Sequence, residues 1–514
     1  MQLAILHYHL NSGGVAKVVQ NHLLALAESD RDSLQRVWLL HGGRAKGWPQ
    51  AELSEKLPFP CECVTVEGLD YDGAASTASL ALADSIAGEL NSIGCTPDDT
   101  LLHWHNHSLG KNVSAPLAVA HLATAGYCTL LQIHDFAEDF RPDNYRRLTQ
   151  ALADGDAARL PEILYPQAEQ IHYAALNRRD HEILSEAGVA GQRLHLLPNP
   201  VAAPPVAEDE TAARRSLVDN LGLPTGQRLL TYPVRGIRRK NLGELLLWSA
   251  LTERTWFFVT LAPQNPVELA PFEWWRTFAL EQHLPCRLGS PSTHPVSYGE
   301  VLAASDALVT TSIAEGFGMV FLETWLAGKE LLGRDLPEIT CDFTAAGLDL
   351  SQLYTELAIP TSWIDRRKFV DQVGALVQET YRSFGVASVE PGELEKQLTG
   401  FLEKPSIDFA RLPFKVQIDV ILRVAGSKRD REQVLTWNPR LQPELKGGET
   451  RIAEGAAIVG QHYSLANLGQ QLAAVYTEVW QSPPQTDPVA PARGQAVFDS
   501  LLRLDRLHPI RVES

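Results

Sequence analysis

Two doubly wound α/β domains in tandem are the architecture this sequence predicts, and three observations carry the prediction. Its 514 residues, 45% of them hydrophobic, can bury more than one core. Short apolar runs alternate with helix-period segments in two successive series, the pattern of parallel strands covered by helices on both faces. Between the two series lies AAPPVAEDE, residues 202–210, a proline-rich stretch of the kind that separates domains.

In the first series LAILHYH, QRVWLLHG, TLLHWHNH, CTLLQIHDF and QIHYAALN read as strands, and RLHLLPNPV closes the unit. VAKVVQNHLLALAES, ASTASLALADSIAGEL, APLAVAHLA and RRDHEILSEAG carry the helical period between them. The second series begins with RLLTYPVR as a strand, followed by NLGELLLWSALTE as a helix and TWFFVTLAP as a strand. An aromatic helix around FEWWRTFALEQ, then CRLGS, SYGEVLAASD, ALVTTS and a helix through VFLETWLAG continue it. From 341 to 460 helical patterns such as RRKFVDQVGALVQETYRSF alternate with proline-containing loops, and no topology is assigned. SLANLGQQLAAVYTEVW reads as one long amphipathic helix, and SPPQTDPVAPARG as a flexible connector to a short final helix. The expected organisation is a first domain over 1–203 and a second over 204–464, extended at 341–460. A returning helix at 465–485 and a tail at 486–514 follow.

With 45 Lys plus Arg against 62 Asp plus Glu, the net charge of −17 argues against broad binding to nucleic acid or anionic membrane. No apolar run reaches the ~18 residues of a membrane span, and the chain opens directly on LAIL without a basic leader, so a cytoplasmic protein is expected. Six cysteines are too sparse for a disulfide scaffold, and Cys61 and Cys63 lack a second pair to complete a zinc site. Reduced thiols are expected.

The most informative stretch is TTSIAEGFGMVFLETWLAGKE, residues 310–330. A strand ends in a turn carrying Glu315-Gly316-Phe317-Gly318, and a helix entered through Met319 and Val320 carries Glu323. Glycines let backbone amides approach a ligand, and a helix start favours an anion, so a phosphorylated ligand fits there. Glu315 beside the amides is placed to accept from sugar hydroxyls, and Glu323 to clasp a vicinal diol such as ribose. The plainer alternative is one capping and one solvated glutamate. RGIRRK, residues 235–240, follows a strand directly, which places Arg235 and Lys240 to stabilise the charge of a departing diphosphate. Their loss is expected to affect rate more than folding; the alternative is a solvated basic turn.

The spacing E-x7-E in EGFGMVFLE resembles the signature of retaining GT-B glycosyltransferases of family 4, and three other stretches agree with it in order. TYPVRGIRRKNLGELL is similar to the family's strand ending in Gly-Arg with Lys five residues later, LHLLPNPV to its Pro-Asn-Gly-Val stretch, and LHYHLNSGGVAKVV to its N-terminal glycine-rich loop. Pro200 stands where the family usually has Gly, and Pro233-Val234 where Val-Gly is common. The resemblance implies two Rossmann-like domains facing across a cleft, the first shaping the acceptor site and the second binding a nucleotide sugar of UDP-glucose or GDP-mannose type. It implies transfer of a hexose with retention, without a cofactor or catalytic metal. The donor-binding residues it implies are Gly13, Gly14, Asn199, Arg235, Lys240, Glu315, Gly316, Phe317, Gly318, Met319, Val320 and Glu323, with Arg235, Lys240, Glu315 and His134 at the chemistry. The leaving phosphate would take the acceptor's proton on the same face, and Glu315 as a covalent nucleophile is the lesser alternative.

His7-x-His9 raises a metal alternative, because such pairs open barrel-type metal-dependent hydrolases. That reading requires eight βα units, whereas this chain divides into two open halves, so His7 and His9 are read as structural. HWHNH, residues 103–107, has no nearby carboxylate cluster, and its histidines are read as polar residues lining the cleft. For the acceptor, His105, His107, Asp135 and Arg141 are candidates, with Glu138 and Asp139 unranked beside them. Asp154-Gly155-Asp156 spells the metal motif of another glycosyltransferase architecture, yet it falls in a helix-to-loop transition and is read as a polar turn. The acidic balance favours a soluble sugar, polyol or hydroxy acid over a lipid-linked or polysaccharide acceptor. A non-enzymatic sugar-binding protein would have little need of Arg235, Lys240, Glu315 and Glu323 together.

Overall fold

The computed structural model describes residues 1–29, 34–73, 76–289, 296–387, 389–442, 448–482 and 487–513. They fall into two units, the first drawn from Met1–Val201, Thr380–Ala387 and Gln461–Arg506, the second from Ala202–Glu379, Ser388–Gly460 and Leu507–Ser514.

In the first unit seven strands form one sheet: β1 (Gln2–Leu6), β2 (Arg36–His41), β3 (Cys61–Thr65), β4 (Thr100–His105), β5 (Cys128–Ile133), β6 (Ile171–Ala175) and β7 (Leu194–Leu196). Their order is β3-β2-β1-β4-β5-β6-β7 and every pair is parallel, so the direction of winding reverses between β1 and β4. β4, β5 and β6 are buried along their whole length, which is why they read as continuous apolar runs. The edge strand β3, CECVT, is mostly exposed, and its polar sequence carries no strand signal.

The helix Leu465–Trp480, capped by Ser464, lies on the helix Gly14–Ser29. Its Leu468, Leu472, Tyr476 and Val479 join Leu3, Ile5, Val19, Leu23 and Leu26 in one core. Thr380–Ala387, expected in the second domain, belongs to this unit through Phe384, whose ring lies 5.2 Å from Tyr145 and 5.7 Å from Phe498. Within the connector expected to be flexible, residues 483–486 lie outside the described residues. Val489 beyond them exchanges two backbone hydrogen bonds with Gln167, at 2.8 and 2.9 Å, and the helix Gln495–Leu501 buries Val497, Phe498 and Leu501.

The second unit's sheet contains β8 (Arg228–Arg235), β9 (Thr255–Leu261), β10 (Cys286–Leu288), β11 (Ala307–Thr310) and β12 (Leu331–Gly333), all parallel, in the order β10-β9-β8-β11-β12. Winding reverses here between β8 and β11. Pro233 has no N–H to give the ladder, and the β8–β9 register shifts between Tyr232 and Arg235. The helix Leu242–Leu251 is buried on every side, with the helix Phe414–Gly426 from the unassigned segment packed against it. Among the described residues that segment otherwise consists of helices and one antiparallel pair, β13 (Ala358–Pro360) with β14 (Ser406–Asp408).

Glycine in a helix interior ordinarily costs about 1 kcal/mol relative to alanine. At Gly469 the sign reverses, because an added Cβ would lie 2.2 Å from the Ala25 carbonyl oxygen and 2.3 Å from Ser29 Oγ on the facing helix. Gly469→Ala is expected to lower stability by ~1–3 kcal/mol. A denaturation midpoint equal to or above that of the parent chain would contradict this close helix contact.

Candidate functional site

Ligands of open α/β sheets bind beyond the carboxyl ends of strands where winding reverses. In the second unit that place is built from two turns, one after β8 and one after β11. Ile313 N–H donates to the Arg239 carbonyl at 2.9 Å, and Thr311 Oγ1 to the Lys240 carbonyl at 2.8 Å, stitching the turns together. Lys240 and Glu315 are both buried and form an ion pair through Nζ and Oε1. Ser312 Oγ donates to the same Glu315 oxygen at 2.6 Å and lies 2.5 Å from the Tyr232 hydroxyl. Burial pushes the Glu315 carboxyl up, but Lys240 and then Arg239 outweigh it and hold the group below its ordinary value. Glu315 is therefore an ionised acceptor.

Lys240 is positioned by a residue the sequence analysis missed. Asn241 adopts a left-handed conformation (φ 48°), and its Nδ2 donates to Glu244 Oε2 at 2.8 Å. Glu244 also accepts from Arg334, at 2.9 and 2.6 Å, and from Tyr354 Oη at 2.9 Å. Arg334 in turn reaches Asp408 at 3.0 and 2.7 Å. The available signal was one glutamate within the otherwise apolar LGELLLWSAL.

Arg235 ends β8 half-buried and has no carboxylate partner among the described residues. Gly318 has φ +86°, and a Cβ there would lie 2.8 Å from the Phe321 ring, so the turn before the helix Val320–Leu326 requires glycine. The carbonyls of Gly318 and Met319 accept from the amides of Phe321, Leu322 and Glu323, and those amides are thereby occupied. Glu323 is partly exposed in this first turn, near enough to Tyr298 to raise that phenol's pKa after burial.

In the first unit the turn after β1 leads to Gly13 and Gly14, and the helix begins at Gly14 with its first-turn amides unpaired by helix geometry. An added Cβ at Gly14 would meet nothing within 4 Å, so packing does not demand glycine there. Asn199 is buried with no partner for its Oδ1 among the described residues, and the carbonyl of neighbouring Pro200 accepts from Asn21 Nδ2 at 3.1 Å. Just after β4, Asn106 (φ 60°) accepts through Oδ1 from the His134 and Asp135 amides, which follow β5, at 2.7 and 3.2 Å. Asp135 pairs with Arg141 at 2.6 Å.

Two acceptor candidates are corrected. His105 and His107 are fully buried, His105 against His134 Nε2 at 2.8 Å and His107 against the Leu164 carbonyl at 2.9 Å. They lie on and just beyond a central strand and present no surface to a substrate. Asp154 and Asp156 are exposed in a turn with left-handed Asp154 and Gly155. Charged groups the sequence analysis overlooked surround Tyr71: the Arg44 guanidinium, paired with Asp70, lies 5.0 Å and Lys111 Nζ 5.5 Å from its ring centre. Burial, then Arg141 and Arg147, pull the Lys111 ammonium below its ordinary value.

The burial of Lys240 also changes what its removal does. Against the expectation that its loss would spare the fold, burial predicts destabilisation, because Lys240→Ala leaves buried Glu315 with only the more distant Arg239, at 4.0 Å, as a counter-ion. Such a break costs ~3–5 kcal/mol, and adding Glu315→Gln to a Lys240→Met background should recover part of it. Denaturation midpoints of the single and double variants test this; a Lys240→Ala protein as stable as the parent would refute it.

No family model matches the chain. It is 27% identical over 454 residues to the mannosylglucosyl-3-phosphoglycerate synthase of Petrotoga mobilis, spanning 84% of this chain and 83% of that one. The sucrose-phosphate synthase of Thermosynechococcus elongatus superposes with a TM-score of 0.54 at 13% identity, covering 93% of this chain and 99% of the other. HepE of Anabaena, solved with UDP and glucose, gives 0.51 at 14% identity with the same coverage. The chain has the GT-B fold of the nucleotide-sugar glycosyltransferases that its ordered motifs resemble.

Proposed function

We propose that this protein is a retaining glycosyltransferase that moves a hexose from a nucleoside-diphosphate sugar to a hydroxyl of a small anionic acceptor. The observation that carries the reading is the buried Lys240–Glu315 pair, with Arg235 at the end of the adjacent strand, where winding reverses in the second unit. Cations held in a low-dielectric turn are suited to the charge that grows on a diphosphate as its bond to C1 breaks. The bond from the acceptor oxygen to C1 forms on the same face, and the acceptor's proton passes to the departing phosphate oxygen. Glu315, engaged by Lys240 and Ser312, serves better as a hydrogen-bond acceptor for the hexose than as a nucleophile. With Lys240 and Arg235 beside the diphosphate, the reaction needs no metal ion there.

The amides after Gly13 and the buried Asn199 are assigned to donor contacts, and His134 to the transferred hexose. Lys111, beside Tyr71 and facing Arg141 and Arg147, supports an acceptor bearing phosphate or carboxylate, with Arg44, Arg141 and Arg147 around it held by Asp70, Asp135 and Asp72. The phosphoglycerate in the name of the Petrotoga relative is of that class. Among the described residues no helix is long and apolar enough to cross a membrane.

Arg235→Ala removes a cation without stranding a buried partner, so it should lower kcat by ~10²–10³ with an unchanged thermal midpoint. A folded variant with parental turnover would remove Arg235 from the chemistry. Glu323→Ala should weaken the free nucleoside diphosphate and the nucleotide sugar alike, by roughly tenfold, as expected for one lost charged hydrogen bond. Calorimetric titration of both ligands checks this, and unchanged affinity for both would refute the ribose assignment. Added Mg²⁺ should leave initial rates unaltered; a strict requirement for it would overturn the metal-free reading of the diphosphate.

A further inference from the structure

Between β1, β4 and the helix Gly14–Ser29, the first unit buries a set of imidazoles for which the transfer reaction has no use. His22, His103 and His105 each offer a ring nitrogen, and these atoms lie within 4.8 Å of one another. All three are 0% exposed. Neither ring nitrogen of His22 has a hydrogen-bond partner among the described residues, and His105 Nε2 has none. A buried polar group left unsatisfied costs ~1–3 kcal/mol, so three such nitrogens in one spot require an explanation. The remaining nitrogens are held from behind: His105 Nδ1 by His134 Nε2 at 2.8 Å, and His103 by the Tyr476 hydroxyl at 2.8 Å and Gln132 Oε1 at 3.0 Å.

We infer that His22, His103 and His105 form a binding site for a borderline divalent transition metal of the zinc class, which staples the helix Gly14–Ser29 to β4. Three imidazoles without a carboxylate suit zinc, cobalt, nickel or copper rather than magnesium or calcium, which require oxygen ligands. Imidazoles ligate when neutral, and burial holds His22 and His105 well below their ordinary pKa and His103 at about 3. A tetrahedral ion with ~2.0–2.1 Å bonds keeps its ligand atoms about 3.4 Å apart, so the rings close in by about an ångström. One His103 nitrogen exchanges its present partner for the ion, and the other keeps the orienting contact.

The test uses the full chain, stripped with chelator and dialysed against Zn²⁺ or Co²⁺ alone, with no donor present, so its outcome is separate from the transfer reading. One ion per chain is expected, together with visible Co²⁺ bands of a low-coordinate site and a raised thermal midpoint. His22→Leu, which replaces an unpartnered imidazole with an apolar side chain, should fold and lose the ion. Absence of stoichiometric uptake, or uptake unchanged in folded His22→Leu, which would place the ion elsewhere, would overturn the inference. If His22→Leu does not fold, X-ray absorption at the zinc edge of the parent protein decides: three imidazole scatterers are expected, and one or none refutes the site.

Discussion

Arg334 sits between two buried carboxylates, and the geometry of the second unit's candidate site depends on it. Its guanidinium forks onto Glu244 in the helix Leu242–Leu251 and onto Asp408 at the end of β14. Glu244 takes a further hydrogen bond from Asn241, the left-handed residue next to Lys240. Desolvation offsets much of the attraction in such a triad, so its value lies less in net stability than in direction. It determines where the helix starts, and hence where the Lys240 ammonium meets Glu315. Loss of Arg334 would leave two carboxylates in the core without a counter-ion.

The two sheets treat their winding reversals differently. Beyond β8 and β11 the turns are locked by backbone and side-chain bonds around a closed ion pair, which keeps charged groups preorganised in a poorly solvated place. Beyond β1 and β4 the first unit offers the unpaired amides of a helix start and, further out, cations around an aromatic ring. The first arrangement suits a group whose charge changes during reaction. The second suits one whose charge is constant and must be held in place.

Much of the sheet architecture was legible because central parallel strands are buried on both faces and spell continuous apolar runs. CECVT and LLG were not: the first is a mostly exposed edge strand and the second spans only three residues, Leu331–Gly333. The Arg235, Lys240, Glu315 and Glu323 constellation was visible as spacing, yet spacing carries no information on burial. Lys240 read as a catalytic cation, and in the structure it is half of a buried ion pair. His105 and His107 read as cleft residues because alternation along a strand shows which residues share a face, not what covers it. Asn106, Glu244 and Arg334 left only faint signals, since each acts through partners far away in sequence.

The interleaving of the two units has a consequence for biogenesis. The apolar side of the helix Gly14–Ser29 is covered by Leu468, Leu472 and Val479, which leave the ribosome more than four hundred residues later. At ~5–20 residues per second this gap is roughly twenty to ninety seconds, during which the nascent sheet stands with one flank open. The core of the first unit is therefore completed only after residues 202–460, most of the second unit, have been synthesised. A ribosome stalled anywhere in the second unit would leave a half-covered apolar surface for chaperones and proteases to find.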